Sequence, residues 1–134
     1  YKRQMQLIQG NPSILLESAH NPSGMQRAIP EIERLLPEKW SLLFGTSPQK
    51  DMDEFIEPLV GMVLRKHPVD IITTEPQGGR YPGVENPIAG LKHIKDPVKG
   101  LESLKENCDF ILVTGSLYLC GNILSHLEID ADIL

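Results

Sequence analysis

Ile14-Leu15-Leu16-Glu17-Ser18-Ala19-His20-Asn21-Pro22-Ser23-Gly24 runs from an apolar stretch through an acid and a small-residue turn into a proline that opens a helix. A strand that hands over to a helix this abruptly leaves backbone N–H groups of the first helical turn without partners, aimed at whatever sits above the strand end. Such a place suits an anion. Pro22 fits the first helical position because its missing N–H would have been unpaired there anyway, and Asn21 or Ser23 can cap nearby. The same residues are equally readable as a loop with a cap and nothing more.

A second stretch repeats the pattern. Asp109-Phe110-Ile111-Leu112-Val113-Thr114-Gly115-Ser116-Leu117-Tyr118-Leu119-Cys120-Gly121 reads as a buried strand, a tight Thr-Gly-Ser turn and an apolar helix. Ligands of open parallel sheets collect at the carboxyl ends of the strands, so two such turns in one small domain can converge on one pocket. The expected fold is a three-layer, Rossmann-like α/β domain, with a mostly parallel sheet of about six strands and an antiparallel edge strand.

The remaining elements follow from periodicity and punctuation. Residues 5–9 alternate apolar and polar like an edge strand, turned by Gly10-Asn11-Pro12 toward antiparallel pairing with 13–17. Met25, Ala28, Ile29, Ile32, Leu35 and Leu36 fall at helical spacing, and Pro30 within them predicts a kink or a restart. Residues 40–45 read as a buried strand, 52–64 as a helix and 69–74 as a further strand. Residues 75–83 are too rich in Gly and Pro for regular structure, which predicts a mobile loop at the functional edge. Arg80 in that loop either closes on a carboxylate or stays solvated. Residues 86–91 suggest a short helix, 92–94 a short strand and 97–106 a helix.

At 134 residues the chain is long enough for one domain with a single core. Cys108 and Cys120 have neither metal nor redox spacing, so both are expected to be buried thiols in a reducing compartment. His67, His93 and His126 have no partner at recognisable spacing and are expected to be non-functional. A net charge of −5 without a basic stripe argues against nucleic-acid binding. No apolar run approaches the roughly 20 residues of a membrane span and no signal peptide is recognisable, so a cytoplasmic protein away from membranes is expected. Lys50 is unusual, because a cation at a helix start opposes the dipole unless an anionic ligand reverses the preference. Asp51 beside it has the simpler reading of a cap.

Leu-Glu-Ser-Ala-His-Asn-Pro at 16–22 resembles the Leu-Asp-Gly-Ala-His-Asn-Pro motif of the folylpolyglutamate synthases and dihydrofolate synthases of the Mur ligase superfamily. Val113-Thr114-Gly115-Ser116-Leu117-Tyr118-Leu119 is similar to their Thr-Gly-Ser-Leu-Tyr motif, and Phe44-Gly45 followed by Lys50-Asp51 to their Phe-Gly…Asp-Lys-Asp segment. All three occur in family order, and together they correspond only to the C-terminal domain of those enzymes. The chain begins at Tyr1 and holds no Gly-x-x-x-x-Gly-Lys-Ser/Thr phosphate loop, so residues 1–134 are expected to be the glutamate-binding domain of a larger ligase, with the ATP-binding domain upstream.

The resemblance implies an ATP-dependent ligase that activates a folate carboxylate as an acyl phosphate and lets the glutamate amine attack it. ATP and Mg would be held mainly upstream, the folate by the upstream domains and glutamate by this one, in a monomer whose isolated C-terminal piece is inactive. By the same resemblance His20 and Asn21 take catalytic positions. His20, Lys50, Gly115 and Ser116 bind glutamate, Arg3 and Glu17 meet the nucleotide, and no residue here ligates a metal. Gln4 competes with Arg3 for the same motif position. Glu17-Ser18 in place of Asp-Gly, and Gln49 in place of the first acid of Asp-Lys-Asp, depart from the family pattern. They support an alternative, a non-catalytic ligand-binding or interaction domain on the same scaffold.

Overall fold

The computed structural model describes residues 5–133, with side chains described as far as Glu128. Six strands form one sheet: β1 (Met5–Ile8), β2 (Ser13–Glu17), β3 (Ser41–Gly45), β4 (Ile71–Thr74), β5 (Lys92–His93) and β6 (Phe110–Thr114), in the order β1-β2-β6-β3-β4-β5. Every pairing is parallel except β1 with β2, where Met5 faces Glu17 and Ile8 faces Ile14. Four helices complete the layers: α1 (Pro22–Leu35), α2 (Met52–Arg65), α3 (Pro97–Lys105) and α4 (Leu117–Ile133).

The continuous apolar runs of β2, β3 and β6 supply both cores, because successive side chains point to opposite faces. Leu15, Leu42, Phe44 and Leu112 join Met25 and Ile32 of α1 and Phe55 and Leu59 of α2 in one cluster. Ile14, Leu16, Leu43, Ile111 and Val113 join Leu101 of α3 and Leu119 and Ile123 of α4 in the other. Trp40 is fully buried, and its indole N–H donates to the Lys66 carbonyl at 3.2 Å. Lys66 in turn donates its Nζ to the Leu36 carbonyl at 2.6 Å, satisfying a group at the end of α1.

Three sequence expectations change. Of the kink or restart expected at Pro30, the restart does not occur, since α1 runs unbroken from Pro22 to Leu35. Pro30 lies on the solvent side, so the carbonyl deprived of its usual partner can bond to water instead. Leu35 is 46% exposed while Leu36, the C-cap, is buried, so the apolar stripe ends on the residue four beyond Ile32. Residues 86–91 form turns and no helix: Asn86 has φ 47, and Pro87 after it disfavours the helical region.

Candidate functional site

Because α1 and α2 cover one face and α3 and α4 the other, the chain leaves the adjacent strands β3 and β6 toward opposite faces. Such divergence opens a crevice at the carboxyl ends of the strands. A cleft of about 680 Å³ occupies it. Four segments wall it: His20-Asn21-Pro22 after β2, Ser47 to Asp51 with Glu54 after β3, Arg80-Tyr81 from the loop after β4, and Gly115 to Tyr118 after β6.

The floor depends on one glycine. Gly115 has φ 112, and a Cβ on it would lie 2.3 Å from the Gly45 carbonyl oxygen and 2.7 Å from the Phe44 ring. Only glycine lets the exit turns of β3 and β6 pass so closely.

Each turn is held by local bonds. Asn21 caps α1, its Oδ1 accepting the Gly24 N–H at 2.8 Å, which leaves its side-chain nitrogen as a free donor type for the cleft. His20 is exposed, with Nδ1 3.2 Å from the Ser18 carbonyl. A proton on Nδ1 donated there makes Nε2 the acceptor nitrogen of the neutral ring. Gln49 donates from Nε2 to the His20 carbonyl at 2.9 Å, tying the exit loop of β3 to the turn after β2. Asp51 is the N-cap of α2, as its simpler reading expected, accepting the Glu54 N–H at 3.0 Å. Lys50 beside it is exposed on the cleft wall.

Ser116 is 3% exposed and its Oγ accepts the N–H groups of Tyr118 at 3.1 Å and Leu119 at 3.3 Å. Its hydroxyl therefore works as the cap of α4. Of the first-turn donors, Leu117 N–H has no acceptor among the described residues and remains for an outside group.

The structure thus brings His20, Asn21, Lys50, Gly115 and Ser116 to one cleft. Glu17 is not on its wall. The resemblance implies that it meets the nucleotide, yet the residue is 1% exposed and its carboxylate accepts the Ala19 N–H inside its own turn. Burial is the main reason its pKa rises to about 7; the Ala19 bond opposes the rise, the charge of Glu31 adds to it and that of His20 opposes it. Cys120 is buried and pushed up to about 12, first by burial and then by the charge of Glu17. Arg3 lies outside the described residues.

Arg80 and Tyr81 enter the cleft from the loop that composition predicts to be mobile at the functional edge; it lies at that edge and is tied at several points. Gln77 N–H donates to Asn122 Oδ1 at 2.9 Å, Asn122 Nδ2 to the Gln77 carbonyl at 3.0 Å, and Val84 N–H to the Thr46 carbonyl at 2.9 Å. His93 is partnered after all. Among the described residues no group of three or more His, Cys, Asp or Glu side chains could hold a metal ion, and no helix is long and apolar enough to cross a membrane.

The sheet order and helix layers give the α/β fold seen in solved folylpolyglutamate synthase/dihydrofolate synthase structures. Within that class the chain is similar to the dihydrofolate synthase/folylpolyglutamate synthase of Bacillus subtilis (strain 168), at 25% identity over 131 residues. That alignment takes in 93% of this chain and 30% of the relative, so the chain spans under a third of the curated protein it matches. No family model matches. Among solved structures, the bifunctional folylpolyglutamate synthase/dihydrofolate synthase of Yersinia pestis, complexed with AMPPNP and Mn ion, superposes with a TM-score of 0.73 at 16% identity, over 92% of this chain and 30% of that one. A bifunctional synthase with Mn, AMPPNP and L-glutamate bound gives 0.75 at 14% identity, over 96% and 32%.

Proposed function

We propose that this chain is the C-terminal domain of a cytoplasmic, ATP-dependent folate–glutamate ligase and that its cleft positions glutamate for attack on a folyl acyl phosphate. The observation that carries the reading is the convergence of both motif turns on one cleft, flanked by the cations of Lys50 and Arg80. A dianionic amino acid needs cations and unpaired N–H donors. Lys50, Arg80 and Leu117 N–H are of the right kind to meet its carboxylates, while the Nε2 of His20 and the Asn21 amide stand where the amine and transferring phosphate would approach. Holding the amine against the acyl phosphate supplies effective molarity, the main catalytic contribution of such a domain. MgATP, bound mainly by upstream domains, supplies the activation of the folate carboxylate. The proposed nucleotide role of Arg3 stands apart from that of Glu17, which requires the turn around Glu17 to open. The isolated 134-residue chain is accordingly expected to be inactive.

Burial of the Glu17 carboxylate and use of Gln49 as a strut favour the second reading, a non-catalytic domain on the same scaffold. One assay separates the two. The full-length protein is tested for ATP- and glutamate-dependent ligation with dihydropteroate and with tetrahydrofolate. His20→Ala and Ser116→Ala should lower kcat/KM for glutamate by about ten- to a thousandfold, the range for losing one or two charge-assisted hydrogen bonds. Absence of ligation with either acceptor would overturn the ligase reading.

A further inference from the structure

The cleft wall formed by Arg80 and Tyr81 is fixed from outside the cleft. Thr73 of β4 and His93 of β5 are register partners, and Thr73 Oγ1 lies 2.7 Å from His93 Nδ1. On the other side of the ring, Nε2 lies 2.7 Å from Glu75 Oε2. The His93 and Glu75 side chains are 14% and 8% exposed, and Thr73 is fully buried. Both ring nitrogens are therefore engaged: with the proton on Nε2, the ring donates to Glu75 and accepts the Thr73 hydroxyl. β5 is only two residues long, yet it delivers the imidazole to this place.

Glu75 is where the strap from 75 to 84 begins, and the strap also ends on it. A Cβ on Gly83 would fall 2.8 Å from Glu75 Cα and Cβ, so the returning chain presses on the root. Between these ends the strap is clasped to α4 by the two Gln77–Asn122 bonds, and Gly79 runs over the Tyr118 ring, where a Cβ would lie 3.0 Å away. Arg80 and Tyr81 then reach the cleft. Remove the imidazole, and a nearly buried carboxylate loses its side-chain partner while the buried Thr73 hydroxyl keeps only the Lys92 carbonyl at 3.4 Å. The least costly relief is for Glu75 to turn to water, taking the root of the strap with it.

We propose that His93 is a positioning residue for the cleft: by bridging Thr73 and Glu75 it sets the strap so that Arg80 and Tyr81 form the wall against which the anionic amino acid binds. The amino-acid part rests on the reading under Proposed function; the positioning part does not.

The test uses the full-length protein with His93→Ala and with His93→Gln, which keeps a donor for Glu75. Hydrogen exchange of the amides from 77 to 84 should speed up by about tenfold or more in His93→Ala and recover largely in His93→Gln. The KM for glutamate should rise by about tenfold in His93→Ala, with kcat and the KM for ATP within about twofold of wild type. In an Arg80→Ala background His93→Ala should add little to KM, because its effect passes through Arg80. Unchanged exchange in the strap would overturn the positioning claim, as would a KM penalty that adds in full to that of Arg80→Ala. A wild type without glutamate dependence, together with a loosened strap in His93→Ala, would remove the amino-acid reading and leave the positioning intact.

Discussion

Replacing Glu17 by Gln isolates the energetics of the motif acid. The fold raises the pKa of this carboxyl from 4.5 to about 7, chiefly by burial, so between those values the folded chain holds a proton that the unfolded chain has released. Stability from this group is therefore fully present below about pH 4.5 and is lost as the pH rises toward and beyond 7. At about 1.4 kcal/mol per unit of pKa the ceiling is about 3 kcal/mol, and about 2 kcal/mol is expected once water reaching the turn is allowed for. Gln keeps the acceptor for the Ala19 N–H and cannot ionise. Urea unfolding of the 134-residue chain and its Glu17→Gln variant at pH 5, 6, 7 and 8 should show the difference moving in favour of Gln by about 2 kcal/mol across that range. A difference that stays flat with pH would refute the argument and leave Glu17 an ordinary, hydrated carboxylate.

Gly115→Ala should destabilise the chain by more than about 3 kcal/mol or prevent folding, because a Cβ meets backbone and the left-handed φ disfavours any side chain; a melting temperature within a few degrees of wild type would show that the two exit turns can separate. Cys120 should resist iodoacetamide at pH 8 in the native chain and react on unfolding, since its thiol is buried and pushed up to about 12. Mass spectrometry of the alkylated protein reads this directly, and rapid native labelling at Cys120 would contradict the packing of α4 on the sheet.

What the sequence disclosed, it disclosed through local chemistry. Unbroken apolar runs in 14–16 and 111–113 implied strands buried on both sides, and the small-residue turns after them implied that both exits open at one edge. Asn21, Pro22 and Asp51 were legible as helix starts because capping needs only residues three or four apart. Where the reading failed, the deciding contact was distant. Pro30 is accommodated within α1 on the side that meets water, and that side depends on how α1 lies on the sheet. Leu35 gives up its buried place to Leu36 for the same reason. His93 looked partnerless because Thr73 and Glu75 precede it by about 20 residues and meet it only through the register of a two-residue strand.

The departures from the family motif connect these two kinds of information. The Glu17 carboxylate folds back on the Ala19 amide, and a side chain so engaged is not extended toward the cleft. Gln49, standing where the relatives have an acid, donates to the carbonyl of His20, a bond that an ionised acid has no proton to make. Gln49 thus ties the β2 and β3 exits together, while Glu17 is tied within the turn after β2. Removal of negative charge from the cleft mouth also leaves Lys50 and Arg80 less neutralised. Under the proposed function, a cleft so altered would discriminate more strongly for a dianion.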